Sequence, residues 1–94
     1  MTAIPESLRD LLAAISEALE VPAPALDRDA EAAYRWHVED RIMLVQSAIK
    51  DVRAGEATLG LDWEANYLRD RVAERPARYR TRDQAIAERE GGRS

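Results

Sequence analysis

The stretch from Asp29 to Ala54, DAEAAYRWHVEDRIMLVQSAIKDVRA, is the feature that most constrains the fold. Its apolar residues recur at helical spacing, which predicts one long helix, and they occupy more than one face. A helix with one side in water needs only one apolar stripe, so we expect this helix to be covered from two directions. The pattern therefore predicts a central helix in a small bundle, a surface for self-association, or both.

A shorter helix is predicted ahead of this long one. Pro5 suits the first helical position, because its fixed φ and missing N–H cost nothing there. The apolar stripe of this first helix consists of Leu8, Leu11, Leu12, Ile15 and Leu19. Pro22 and Pro24 then end the helix, and either Asp27 or Asp29 can cap the long helix that follows.

The long helix has one main apolar stripe, and a basic residue lies within it. The stripe consists of Tyr34, Val38, Ile42, Val45, Ile49 and Val52, and it is widened on one flank by His37, Leu44 and Ala48. Arg41 falls inside the stripe, and we expect a carboxylate to pair with it because an unpaired buried cation costs much free energy. Gly55 is placed to terminate the helix.

Two more helices are predicted in the C-terminal part of the chain. Asp62 is a suitable cap for a third helix, whose stripe is Leu61, Ala65, Leu68 and Val72 and which ends at Pro76. Thr81 and Gln84 have the spacing of a capping box, which predicts a short fourth helix. We therefore expect an all-α fold: a small bundle of three helices plus a short C-terminal fourth helix. It forms a single domain over residues 1–90, and residues 91–94 form a disordered tail.

Two pairs of large side chains lie away from the main stripes. Trp36 and Met43 fall on the opposite side of the long helix, and Trp63 and Tyr67 fall on the opposite side of the third helix. Tryptophan, tyrosine and methionine are enriched at the centres of protein interfaces. We interpret these four residues as partner-binding anchors, for a second copy of the chain or for another protein. The alternative is that the two faces meet each other, or the C-terminal segment, within one monomer.

Positive charge is concentrated towards the C-terminus, although the chain as a whole has a net charge of −4. The segment RPARYRTR places a tyrosine among four arginines, a pattern that resembles phosphate and base-stacking contacts. We expect electrostatic contacts at Arg69, Arg75, Arg78, Arg80 and Arg82. Three partners for these arginines stay open: nucleic acid, an acidic protein, and the acidic first half of the same chain.

The sequence offers no paired groups for catalysis. Cysteine is absent, which excludes disulfides, thiolate metal sites and a cysteine nucleophile. His37 is the only histidine, and beside Asp40 and Arg41 it is interpreted as a partly buried residue with a hydrogen-bonded neighbour. Glu17 and Glu20 have the ExxE spacing of helical magnesium-dependent nucleotide hydrolases, but the second acidic pair that those enzymes need is missing. We expect no catalytic residue, no metal and no cofactor.

The composition is typical of a soluble protein. Charged residues make up 34 % of the chain, and no apolar run approaches the roughly 20 residues needed to span a bilayer. The N-terminal residues MTAIPESLRD lack the basic region and long apolar core of a secretory signal. We expect a cytoplasmic protein without membrane contact.

Two segments resemble a known group of proteins. LLAAISEALEVPAPALD and WEANYLRDRVAERPARYRT are similar to segments of short, uncharacterised helical proteins of high-GC actinobacteria and their phages or mobile elements. The resemblance implies an accessory or regulatory protein and supplies no activity, cofactor or site residue. Together with the apolar faces, it favours a small non-enzymatic interaction protein that self-associates. The alternative is a nucleic-acid-binding regulator that uses the arginine-rich C-terminal segment.

Overall fold

The computed structural model describes residues 4–91, and its regular elements there are four helices. These are α1 (Glu6–Ala18), α2 (Arg28–Arg53), α3 (Leu61–Glu74) and α4 (Arg82–Gly91). The all-α prediction is confirmed, with three helices, a short fourth and a long central α2. Residues 92–94 of the predicted tail lie outside the described residues.

Local signals in the sequence set several of the helix ends. The Oδ1 atom of Asp27 accepts a hydrogen bond from the backbone N–H of Ala30 at 2.7 Å, so Asp27 is the cap of α2. Gly55 follows the end of α2 with a φ of 73°, a left-handed conformation that glycine adopts without a steric penalty. Thr81 and Gln84 form the predicted capping box, with reciprocal hydrogen bonds of 2.9 and 3.1 Å.

Two helix starts differ from the prediction by one or two residues. α1 begins at Glu6, and Pro5 precedes it as the capping residue. α3 begins at Leu61, with Gly60 at its N-cap position and a φ of 97°, so Asp62 is not the cap. Asp62 lies in the first turn of α3 instead, where a carboxylate is favourable to the helix dipole.

One core is formed where α1, α3 and the C-terminal half of α2 pack together. We call this the helical core, and its buried members are Leu11, Ala14, Ala18, Val45, Ala48, Ala65 and Leu68. Four of the seven are alanines, which let helix axes approach closely because the distance between packed helices depends on the side chains at the contact. The predicted stripe of α3 is the side that packs here, with Ala65 and Leu68 buried and Leu61 and Val72 partly buried.

The buried faces of α1 and α2 are rotated away from their predicted stripes. In α1 the small residues Ala14 and Ala18 are buried, whereas Leu12 and Leu19 of the stripe are half-exposed. In α2 the same rotation leaves the two isoleucines of the stripe, Ile42 and Ile49, partly exposed to solvent. Side-chain size explains the difference. Two helices pack most closely where their side chains are small, so the alanines lie at the contact and the larger apolar residues lie beside it.

A second, smaller core is built mainly from the connecting segments, and we call it the connector core. Its buried members are Ala25, Ala30 and Tyr79. The backbones of the two connectors pair: the N–H of Ala25 donates to the Arg80 carbonyl at 2.9 Å, and the N–H of Arg82 donates to the Ala23 carbonyl at 2.9 Å. The N-terminal half of α2 is therefore covered by loops, whereas its C-terminal half is covered by helices.

The molecule is elongated, because the long α2 links the two cores. Its principal dimensions are 55 × 27 × 22 Å and its radius of gyration is 17.0 Å. A compact domain of this length would have a radius of gyration of about 12 Å. Much of α2 therefore lies on the surface.

Candidate protein-interaction surface

Trp36 and Met43 lie on the solvent side of α2. Their spacing of seven residues places them on one face of the helix, and 76 % of the Trp36 surface and 69 % of the Met43 surface are exposed. The structure thus places neither side chain in a core of the monomer. Large apolar surface left in water has a cost of roughly 25 cal/mol per Å², which a partner that covered it would remove.

Trp63 and Tyr67 pack on each other rather than on the α2 pair. Their rings are stacked, with centroids 5.0 Å apart and planes 10° apart, and both side chains are about half-exposed. Arg71 continues the row one turn further along α3. Its guanidinium carbon lies 5.3 Å from the centre of the Tyr67 ring, and its Nε donates a hydrogen bond to the Tyr67 hydroxyl at 3.2 Å.

A crevice between α2 and α3 has Tyr67 of the stacked pair in its wall. Tyr67 and Arg71 line it from α3, and Ser47 lines it from α2, one turn after Met43. We refer to Trp36, Met43, Trp63 and Tyr67 together as the aromatic face.

An open groove of about 390 Å³ lies at the Trp36 end of this face. It runs between α2 and the segment that follows α3, and its walls include Trp36, His37, Arg75, Arg78 and Tyr79. The Tyr79 hydroxyl is held by donation to the Pro22 carbonyl at 2.6 Å, and the His37 ring packs edge-on against Tyr79 at 5.8 Å. The groove thus has a fixed aromatic floor beside an exposed tryptophan.

Two features of His37 bear on its role. Burial, assisted by the nearby Arg41 cation and opposed by Asp40, lowers the pKa of His37 below its ordinary value. The side chain is partly buried, as predicted, but no described residue forms the expected hydrogen bond with its ring. The lowered pKa favours the neutral form of His37, whose ring packs on Tyr79 at the groove.

The carboxylate partner predicted for Arg41 is not found within residues 4–91. Its hydrogen-bond partners are backbone carbonyls instead. Only 6 % of Arg41 is exposed, and its Nη2 donates hydrogen bonds to the carbonyls of Val72 at 3.3 Å and Arg75 at 2.7 Å. These carbonyls lie at the C-terminal end of α3, where unpaired acceptors and the helix dipole favour a cation. Arg41 therefore fixes the end of α3 against α2 and holds the groove wall in place.

Most of the predicted electrostatic contact residues are engaged within the chain. Arg69 pairs with Asp10 at 2.9 Å and with Glu17 at 3.0 Å. Arg75 pairs with Asp40 at 2.5 Å.

Arg80 is engaged in the same way. It pairs with Glu88 at 2.7 Å and, more weakly, with Asp27 at 3.8 Å. Its partner Asp27 and the partners of Arg69 and Arg75 all belong to the acidic first half of the chain. Within residues 4–91, Arg78 and Arg82 form no ion pair, so they are the two predicted contact residues whose charge is unopposed.

Glu64 is a buried carboxyl that the sequence pattern did not bring out. It lies on α3 and is 5 % exposed. Burial raises the pKa of its carboxyl, and Asp51 across the crevice raises it further. The signal in the sequence is that Glu64 directly precedes Ala65 and lies one turn before Leu68, so it shares the edge of their buried face.

The described part of the chain offers no group of three or more potential metal ligands. None of the helices in residues 4–91 combines the length and the apolar character that crossing a membrane requires. Glu17, one of the two residues with ExxE spacing, is paired with Arg69.

Comparison with known proteins finds no relative. No protein family matches the chain, and no curated protein or solved structure is similar to it.

Proposed function

We propose that this chain is a small non-enzymatic interaction protein, of the adaptor or inhibitor type, that binds another protein through the aromatic face and also self-associates. The observation that carries the proposal is the exposure of Trp36 and Met43 on one face of a long helix, together with the stacked, half-exposed pair of Trp63 and Tyr67 on α3. Large apolar patches on small proteins are typical of interaction sites. The resemblance to short, uncharacterised helical proteins of high-GC actinobacteria and their phages or mobile elements is in line with a regulatory role.

The build of the aromatic face supports a binding role. Trp63 and Tyr67 hold each other in place, so little side-chain entropy would be lost when a partner covers them. Trp36 stands beside a groove whose floor is fixed by Tyr79, and a partner side chain entering that groove would contact several rings. Interfaces draw most of their binding energy from a few such anchors.

The charge distribution supports a protein partner over nucleic acid. Phosphate binding needs free cations, since the affinity comes from neutralising phosphates and releasing counterions. Ion pairs with acidic residues already occupy Arg69, Arg75 and Arg80. The nucleic-acid alternative therefore depends on Arg78 and Arg82, in a chain whose net charge is negative.

A capture experiment from a high-GC bacterial lysate tests this proposal. The tagged protein is compared with Trp36→Ala and with Leu26→Ala, a matched control that removes an equally exposed apolar side chain outside the aromatic face. We expect a protein that is captured by the wild type and the control, is lost with Trp36→Ala, and is retained after nuclease treatment.

Two results would contradict the proposal. Capture that is equal for all three proteins would show that Trp36 is not an anchor. Capture that disappears on nuclease treatment and falls with Arg78→Ala would favour the nucleic-acid alternative. Circular dichroism of Trp36→Ala checks that its loss of binding is not a loss of fold.

A further inference from the structure

α2 has a second exposed face, which lies about a quarter of a turn or more around the helix from the aromatic face. Its residues follow one another at alternating spacings of three and four, the periodicity of a helix–helix seam. All of them are exposed, and we call them the α2 seam: Glu39, Ile42, Gln46, Ile49 and Arg53. The two isoleucines are each 41 % exposed, so the apolar centre of the seam has no cover within the described residues.

The seam is self-complementary about its central residue. Gln46 lies in the middle, with Ile42 and Ile49 on either side of it, and Glu39 and Arg53 each seven residues away. If a second α2 crossed this face in the opposite direction, Glu39 of each copy would lie opposite Arg53 of the other. Two favourable charge contacts would then flank an apolar centre.

We propose that a second copy of this chain covers the α2 seam in an antiparallel, two-fold arrangement. This inference rests on the proposed self-association and identifies the surface that performs it. It leaves the aromatic face free for a different protein, because the two faces point in different directions from α2.

The charges at the two ends of the seam argue for a second copy as the occupant. Neither Glu39 nor Arg53 forms an ion pair with any residue in the part of the chain that the structure describes, although six such pairs are present there. A parallel arrangement would place glutamate against glutamate and arginine against arginine, which is unfavourable. The antiparallel arrangement pairs all four charges.

Gln46 suits the centre of such an interface. Its side-chain amide has both donors and an acceptor, so two copies related by a two-fold axis can hydrogen-bond to each other. A polar residue between the two isoleucines also selects one register, since a register that set the amides against isoleucine would leave them unpaired.

The chain as a whole exposes more surface than a compact protein of its mass. The accessible surface is 7220 Å², whereas a compact protein of 10.6 kDa is expected to expose about 5,500 Å². A stable interface removes about 800 Å² from each partner. The surplus over the whole chain, about 1,700 Å², is larger than the area that one such interface removes.

Charge reversal tests the arrangement. Sedimentation equilibrium at low salt is run on the wild type, on Glu39→Arg and on Arg53→Glu, from micromolar to millimolar concentration. We expect the wild type to dimerise and each single variant to dissociate at least about tenfold more readily, because both charge contacts become repulsive. An equimolar mixture of the two variants should dimerise again, and so should the double variant Glu39→Arg/Arg53→Glu.

The control is Trp36→Ala, which should leave the dimerisation constant within about twofold of the wild type. A wild type that dimerises while the single charge variants have no effect would overturn the seam and leave self-association standing. A dimer lost with Trp36→Ala would assign the interface to the aromatic face. A wild type that remains monomeric up to millimolar concentration would overturn self-association and the seam together, without bearing on capture of another protein by Trp36.

Discussion

The two cores along α2 are held together by different means. In the helical core, seven buried apolar residues from three helices pack against one another. In the connector core, three buried residues are supported by backbone pairing between two loops and by the hydrogen bond from Tyr79 to the Pro22 carbonyl. The first is a product of side-chain packing, and the second depends on backbone geometry and one aromatic residue.

This difference indicates how stability is distributed along the molecule. Burial of apolar surface is the main favourable term in folding, so the helical core is expected to set the free energy of global unfolding. The connector core buries little, and we expect it to open locally while the helices stay folded. Both cores are thin, which leaves the outer faces of α2 and α3 free for partners.

The largest expected effect is that of Leu68→Ala, which breaks the helical core. Leu68 is 2 % exposed and lies at the contact of α3 with the other helices. Removing a buried leucine side chain costs roughly 2–5 kcal/mol, a large share of the roughly 5–14 kcal/mol expected for a domain of this length. Urea unfolding followed by circular dichroism measures the loss.

Leu12→Ala is the matched control for this prediction. Leu12 is half-exposed on α1, so its removal should cost less than about 1 kcal/mol. Equal losses for Leu12 and Leu68 would show that the helical core is not where the structure places it.

A smaller and local effect is expected for Tyr79→Phe in the connector core. The change removes the donor to the Pro22 carbonyl and costs roughly 1 kcal/mol. Hydrogen exchange should speed up at the amides of Ala25 and Arg82, which pair the two connectors, and should be unchanged at Leu68. Such a result would separate the stabilities of the two cores.

Tyr34→Phe is the control here, because the Tyr34 hydroxyl donates no hydrogen bond to any residue among 4–91 while its ring lies edge-on to Tyr79 at 5.9 Å. If Tyr79→Phe accelerated exchange equally throughout both cores, the molecule would unfold as one unit and the comparison would be wrong.

The smallest expected effect is on pH dependence, where the two cores should respond in opposite directions. The raised pKa of Glu64 means that the folded state loses stability as pH rises above about 4.3, the ordinary glutamate pKa. The lowered pKa of His37, beside the connector core, means that the folded state loses stability as pH falls below about 6.5. Glu64→Gln should therefore gain on the wild type with rising pH, and His37→Gln should gain with falling pH.

The quantity that tests each prediction is the change with pH in the stability difference between variant and wild type, because the loss of packing in each variant does not depend on pH. Thermal unfolding from pH 4 to pH 8 measures both. Parallel pH profiles for the wild type and Glu64→Gln would show that Glu64 titrates as an ordinary glutamate.

The sequence predicted the helical parts of this fold better than the rest, for a physical reason. Helix existence follows from periodicity and caps, and both are local, as Asp27 and the capping box of Thr81 and Gln84 illustrate. The buried face of α2 is a tertiary property. It depends on how closely α3 approaches Ala48, so the predicted stripe and the buried face differ by part of a turn.

The connector core could not be predicted from periodicity, because pairing of two loops leaves no helical pattern. Tyr79 was interpreted as part of an arginine-rich contact segment, whereas its ring is buried and its hydroxyl is bonded to Pro22. Similarly, the carboxylate expected for Arg41 is replaced by the carbonyls at the end of α3. Spacing did place Trp36 and Met43 on one side of α2 correctly, while their role as anchors stays a prediction.

The central claim is that the faces left open by these two thin cores are association surfaces. Sedimentation equilibrium of the unmodified protein from 1 µM to 1 mM, concentrations on the order of those at which weak homodimers form, tests self-association most directly. We expect a mass that rises with concentration from one chain towards two. A mass of one chain over the whole range would contradict it.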